Sequence, residues 1–89
     1  MSAMHFKITG LVQGVFFRSN TKDNADRLGL TGWVLNAEDG AVEIHAEGSD
    51  DALDDLEQWL HTGPPVAQVD NLKKQKVEPE GFDSFEVKM

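Results

Sequence analysis

Val12-Gln13-Gly14-Val15-Phe16-Phe17-Arg18 joins a strand-like run to a helix-like run, and the rest of the chain is arranged around it. The stretch has a glycine at its turn, backbone amides over residues 13–17 and a fixed cation, Arg18, at its end. A helix N-terminus leaves N–H groups unpaired and carries partial positive charge. A guanidinium beside those donors completes the inventory for holding one phosphate. The same residues also fit an ordinary strand-to-helix turn followed by an exposed Arg, because a lone Gly and Arg are a weak signature.

Working outward, residues 5–12 alternate as a strand. Phe6, Ile8 and Val12 share one face with Gly10, while His5, Lys7, Thr9 and Leu11 share the other. Gly10 within a strand predicts a bulge or a close backbone approach. On the other side, residues 18–28 read as a helix with Thr21, Ala25 and Leu28 on one stripe, ended by Gly29 as a left-handed cap. Residues 31–37 read as a second strand, with Trp33 and Leu35 facing one way and Val34 and Asn36 the other. Asp39-Gly40 predicts a hairpin turn into a third strand over 41–47, where Val42, Ile44 and Ala46 alternate with Glu43, His45 and Glu47.

Ser49 is a good N-cap, and Asp50 and Asp51 suit the positive end of a helix dipole. A second helix over about 50–61 follows, with Ala52, Leu53, Leu56, Trp59 and Leu60 on its apolar stripe, and Gly63-Pro64-Pro65 stops it. Residues 66–78 form a longer strand whose broken alternation predicts a bulge and which gathers Lys73, Lys74 and Lys76. A turn over Glu78-Pro79-Glu80-Gly81 leads to a short last strand at Phe85-Glu86-Val87. The order β-α-β-β-α-β, with right-handed crossovers, predicts a ferredoxin-like α+β sandwich: an antiparallel sheet with two helices on one face. The expectation is a single domain over 1–89.

Composition narrows the chemistry. Cysteine is absent, which removes disulfides, thiolate metal sites, iron–sulfur clusters and a Cys nucleophile. A net charge of −8 repels nucleic-acid backbones and anionic lipid, so neither is an expected partner. No apolar run is long enough to span a membrane and no signal-like segment opens the chain, so a cytoplasmic location and a monomeric state are expected. The acidic surface also opposes a small anionic substrate. A site for one has to create local positive potential, and Arg18 with a ring of amides is what the sequence offers for that.

Two motifs carry a family resemblance. Gly10-x-Val12-Gln13-Gly14-Val15-x-Phe17-Arg18 resembles the first signature of the acylphosphatases. Leu28-Gly29-Leu30-x-Gly32-Trp33-Val34-x-Asn36, followed by Asp39-Gly40-x-Val42, resembles the second. Glu47-Gly48 before the second helix and Gly63-Pro64-Pro65 after it also fit, so the likeness covers nearly the whole chain. Departures fall at Phe16, where many relatives carry a small residue, at Ser19 and Asn20, where bulkier residues are frequent, and at Ala37. They bear on fine specificity and rate rather than on reaction class.

The resemblance implies hydrolysis of the carboxyl–phosphate anhydride of an acyl phosphate to a carboxylate and inorganic phosphate. It implies that Arg18 binds the phosphoryl group, that Asn36 holds the attacking water, and that the backbone amides of Gln13, Gly14, Val15, Phe16 and Phe17 cradle the phosphate, with no metal and no cofactor. The expected partners are therefore a small acyl phosphate and inorganic phosphate as product and inhibitor. The residue types suit this chemistry. Positioning and fixed positive charge dominate phosphoryl transfer, and Arg supplies a rigid charged fork. A carboxylate of unperturbed pKa about 4 leaves without a general acid at neutral pH. Asn orients water by accepting one hydrogen bond and donating another.

Other readings fit less well. Val12 stands where a Cys-dependent phosphatase needs its thiolate, and no Gly-Lys-Ser/Thr follows the glycine. His5, His45 and His61 lack metal-ligand spacing and read as solvated or capping residues; Glu43, His45 and Glu47 read as a wet strand face. Trp33, Trp59, Phe6 and Phe85 read as core rather than as a base-stacking platform. The alternative from another class is a non-catalytic anion-binding or regulatory module of the same fold. A weaker one is a module serving carbamoyl-group transfer in a larger assembly.

Overall fold

A computed structural model of the chain describes residues 1–88. The elements run β1 (Ser2–Leu11), α1 (Phe17–Leu28), β2 (Thr31–Asn36), β3 (Val42–Gly48), α2 (Asp50–Leu60), β4 (Gln68–Val77) and β5 (Phe85–Val87). They form one sheet in the order β4-β1-β3-β2-β5. The pairs β1·β3, β1·β4 and β2·β3 are antiparallel, whereas β5 adds to β2 in parallel through Gly32↔Phe85 to Val34↔Val87. The sheet is thus mixed at one edge rather than antiparallel throughout. β5 arrives from the turn after β4, crosses the open face and can meet β2 only in that direction.

Both helices cover the sheet face that carries Phe6, Ile8, Val34, Val42 and Ile44, all fully buried and packed with Leu53, Leu56 and Leu60 of α2 and Ala25 of α1. Burying this face supplies the driving force, at roughly 1.5–3 kcal/mol per large apolar side chain before entropy is counted. The predicted caps hold. Gly29 is left-handed at the end of α1, and Ser49 accepts from Ala52 N–H at the start of α2. The bulges expected at Gly10 and within the fourth strand are one irregularity: Thr9 pairs with Asn71 and Gly10 with Val69, leaving Asp70 as the extra residue.

The open face departs from the sequence reading. Trp33 is half-exposed there instead of in the core, stacked on His45 with 5.9 Å between ring centroids and only 17° between planes. His45 and Glu47 are not a wet surface; they are 3% and 1% exposed. Phe82 packs edge-on against His45, and Glu47 accepts from the N–H groups of Glu80 and Gly81. Alternation correctly places these side chains away from the helices. What buries them is the segment over 78–82, which folds across that face and which a strand pattern does not report.

Candidate active site

The loop over 12–16 is fixed at both ends by packing. Val12 and Phe17 are buried, and the Phe17 ring lies 5.5 Å from that of Trp59 on α2. Gly63 makes this seat possible: a Cβ there would lie 2.6 Å from Phe17 Cε2. Between the anchors the backbone turns through Gly14 at φ 74 and Phe16 at φ 65. Phe16 is the one non-glycine residue with positive φ among the described residues, a conformation that costs an L side chain roughly 1–2 kcal/mol. Its carbonyl is gripped by three donors: Asn20 N–H at 3.1 Å, Asn20 Nδ2 at 2.8 Å and Ser19 Oγ at 3.2 Å. The polar residues that depart from the family pattern are therefore the ones that hold this turn.

The turn leaves donors unspent. No side chain caps the N-terminus of α1. Among the described residues, no backbone carbonyl accepts from the N–H groups of Gln13 to Phe17. Such N–H groups at the positive end of a helix attract an anion. Arg18 stands beside them, its Nη1 donating to Lys88 O at 3.1 Å just past β5.

One pocket, about 310 Å³, gathers Val12, Gly14, Phe16, Phe17, Arg18, Ser19, Asn36 and Val87. It thus brings the end of β2 and the end of β5 to the loop. Asn36 Oδ1 is buried and has no hydrogen-bond donor among the described residues. A buried acceptor left unpaired costs about 1–3 kcal/mol, and such costs collect at functional positions.

Of the residues expected from the sequence, Gly14, Phe16, Phe17, Arg18 and Asn36 line this pocket. The Gln13 and Val15 side chains do not. Val15 packs against the core, and Gln13 Nε2 donates to Ala37 O at 2.8 Å and Ala41 O at 2.9 Å, tying the loop to the β2–β3 turn. That turn is closed by Ala37 N–H to Ala41 O and by Ala41 N–H to Asp39 Oδ1. Asp39 is held below the usual carboxylate range, first by the hydrogen bond from Lys7 and then by Ala41 N–H. Sequence reasoning missed the Gln13 carboxamide and Val87. Neither has a local signal, because each meets its partners only through long-range packing. His5 and His45, unremarkable in spacing, are cross-strand neighbours, yet each pairs with a glutamate, Glu43 and Glu47, and among the described residues no group of three acids or histidines converges as metal ligands.

An open cleft with amide donors, one guanidinium and one unpaired carboxamide oxygen on a ferredoxin-like sandwich defines a small α+β protein equipped to bind an anion. The comparisons with known proteins specify it further. The acylphosphatase family model matches residues 4–87, and the chain belongs to that family. It is 51% identical over 84 residues to an acylphosphatase from a Nostoc species, covering 94% of this chain and 83% of the relative. It is 49% identical over 85 residues to one from Trichormus variabilis, covering 96% and 84%. The crystal structure of acylphosphatase from Bacillus subtilis superposes with a TM-score of 0.97 at 34% identity, covering all of both chains. The chain is accordingly an acyl phosphate hydrolase, and the non-catalytic alternative is set aside. No helix among the described residues is long and apolar enough to cross a membrane.

Proposed function

We propose that the phosphoryl group of an acyl phosphate sits on the N–H groups of residues 13–17 and the Arg18 guanidinium, and that Asn36 holds the attacking water. One observation carries this reading: Gly14, Phe16 and Phe17 of the loop with unbonded amides line a single pocket together with Arg18 and Asn36, whose Oδ1 is unpaired.

In this mechanism the amides and Arg18 bind the phosphoryl oxygens and stabilise the charge that spreads over them in the transition state. Water accepted by Asn36 Oδ1 attacks phosphorus. The bond between phosphorus and the acyl oxygen breaks, and its electron pair leaves with the carboxylate. The water proton passes to a phosphoryl oxygen, so the products are a carboxylate and inorganic phosphate. The carboxylate needs no proton on leaving because its unperturbed pKa is about 4. Asn is a poor base, and its task is orientation. A phosphate monoester offers a far worse leaving group, so monoesterase activity is expected to be slight.

Inorganic phosphate, which matches the cradle, is expected to inhibit as well as to leave. The acidic surface, at net charge −8, supports a reading without nucleic-acid partners. A monomer in the cytoplasm, with residues 1–89 as its one domain, completes the proposal.

The test is hydrolysis of benzoyl phosphate by the purified chain, with EDTA present, beside Arg18→Ala. Fast, EDTA-resistant hydrolysis that disappears in the variant supports the cradle. Undiminished hydrolysis in Arg18→Ala refutes it.

A further inference from the structure

The phosphate chemistry leaves two groups at the mouth of the pocket unused. Phe16 is 73% exposed and Val87 41% exposed, and both line the pocket that holds Arg18 and Asn36. Large apolar side chains this exposed are few; among the described residues the others are Met1, Leu11 and Val66. The point from which the Phe16 ring projects is also fixed. Its backbone occupies the left-handed region, and three hydrogen bonds from Ser19 and Asn20 grip its carbonyl. A residue fixed in this way stands at the pocket with its ring left largely to solvent.

The substrate's own connectivity says what meets it. The acyl carbon is joined to the phosphoryl group through one bridging oxygen, so a phosphate seated in the cradle projects its acyl group across the pocket mouth. Among the described residues Arg18 is the only charged one lining that pocket, and the phosphoryl group engages it. Among the described residues no second cation lines the pocket to meet a second anionic group, and the net charge of −8 repels one.

We infer that Phe16 and Val87 form an apolar platform for the acyl group, selecting apolar and above all planar aromatic acyl phosphates over short or additionally anionic ones. The inference rests on the cradle assignment made above. Phe16 then has two roles, its N–H in the cradle and its ring in selectivity, and Val87 has selectivity alone.

The experiment compares kcat/KM for benzoyl phosphate, acetyl phosphate and succinyl phosphate in the full chain and two variants. Phe16→Asn removes the ring with a residue that tolerates the left-handed region. Val87→Thr replaces one methyl group by hydroxyl at nearly constant shape. The unmodified chain is expected to prefer benzoyl phosphate. Phe16→Asn should lower the benzoyl-to-acetyl ratio about fivefold or more, mainly through KM for benzoyl phosphate, as loss of an aromatic contact implies. Val87→Thr should lower it by about twofold, in line with a smaller apolar area. An unchanged ratio in both variants, or an unmodified chain that favours acetyl or succinyl phosphate, overturns the platform. Where Phe16→Asn loses turnover on every substrate, the Val87→Thr ratio decides. Failure of the cradle itself reads differently, as benzoyl phosphate turnover retained by Arg18→Ala.

Discussion

Gln13 Nε2 lies 2.8 Å from Ala37 O, so the loop proposed to cradle phosphate is fastened to the residue that follows Asn36. A second bond from the same nitrogen, to Ala41 O, spans the turn. The two halves of the site are 24 residues apart in sequence at this bond and share one carboxamide.

Replacing that carboxamide should therefore move catalysis and stability together. Gln13→Leu removes two hydrogen bonds from carbonyls that keep their backbone donors, Gly40 N–H and Ala37 N–H, and is expected to cost about 1 kcal/mol of unfolding free energy. It should also lower kcat more than it raises the inhibition constant for phosphate, because cradle and water holder lose their common tether. Gln13→Glu should be worse, since a carboxylate facing two carbonyls cannot donate and adds negative charge near the phosphate site. Urea unfolding with steady-state kinetics on benzoyl phosphate checks both. A Gln13→Glu chain as active as the unmodified one refutes the tether.

Asn36 separates water orientation from folding. Its Oδ1 is buried without a donor, so Asn36→Leu removes an unpaired polar atom from the fold. Turnover should fall by about a hundredfold or more, the scale of losing one preorganised group, while the unfolding midpoint stays level or rises. Phosphate inhibition should persist. If phosphate affinity collapses as is expected of an Arg18 variant, Asn36 binds phosphate and the water role is wrong.

Arg18→Lys keeps a positive charge but loses the planar fork and the hydrogen bond that Arg18 makes to Lys88 O. A loss of about two orders of magnitude or more in kcat/KM is expected, on the scale found for removing a preorganised donor. Turnover near that of the unmodified chain would mean that charge alone, not bidentate geometry, does the binding.

Acid stability should depend on Glu47. Burial is the largest influence on its carboxyl and opposes ionisation. The His45 ring at 2.6 Å and the Glu80 and Gly81 N–H groups outweigh burial together, and the pKa is held below its ordinary value. The unfolded chain thus takes up the proton more readily than the native one. The stabilisation is complete above the ordinary glutamate pKa of about 4.3 and is lost as pH falls through the lower native value. Glu47→Gln should be destabilised by about 1–3 kcal/mol at pH 7, and the gap to the unmodified chain should close in acid. Urea midpoints measured from pH 7 down to pH 3 test this; a gap that widens in acid contradicts the sign.

Gly63→Ala probes the seat of the loop. The added methyl would press on the Phe17 ring and sit at φ 68, so a loss of about 1–3 kcal/mol is expected. Disturbing Phe17 shifts the first residue of α1, and phosphate inhibition should weaken with stability. Calorimetry paired with a phosphate titration reads both effects.

Much of this molecule can be read locally. Val42, Ile44 and Ala46 declare their strand by alternation, Asp39-Gly40 declares the turn before it, and Ser49 and Gly29 mark helix ends through side-chain and backbone rules that act within a few residues. The motifs around Arg18 and Asn36 likewise name site residues by family likeness. The parallel seat of β5, the burial of Glu47 beneath residues 78–82, the outward face of Trp33 and the reach of Gln13 to Ala37 are different in kind. Each depends on which distant segment folds over a position, and a pattern of period two or 3.6 is silent about that.

The bond from Arg18 to Lys88 spans 70 residues, and it sets a timetable for the nascent chain. At ordinary rates of synthesis the ribosome takes on the order of ten seconds to add that many residues. Throughout this interval the guanidinium has been made but its carbonyl partner has not, and for most of it β4, the edge strand beside β1, has not been translated. The Arg18 tether is therefore among the last contacts at this pocket to become available. A message cut short before codon 85 would yield a polypeptide carrying both signature motifs but lacking β5 and the carbonyl partner of Arg18.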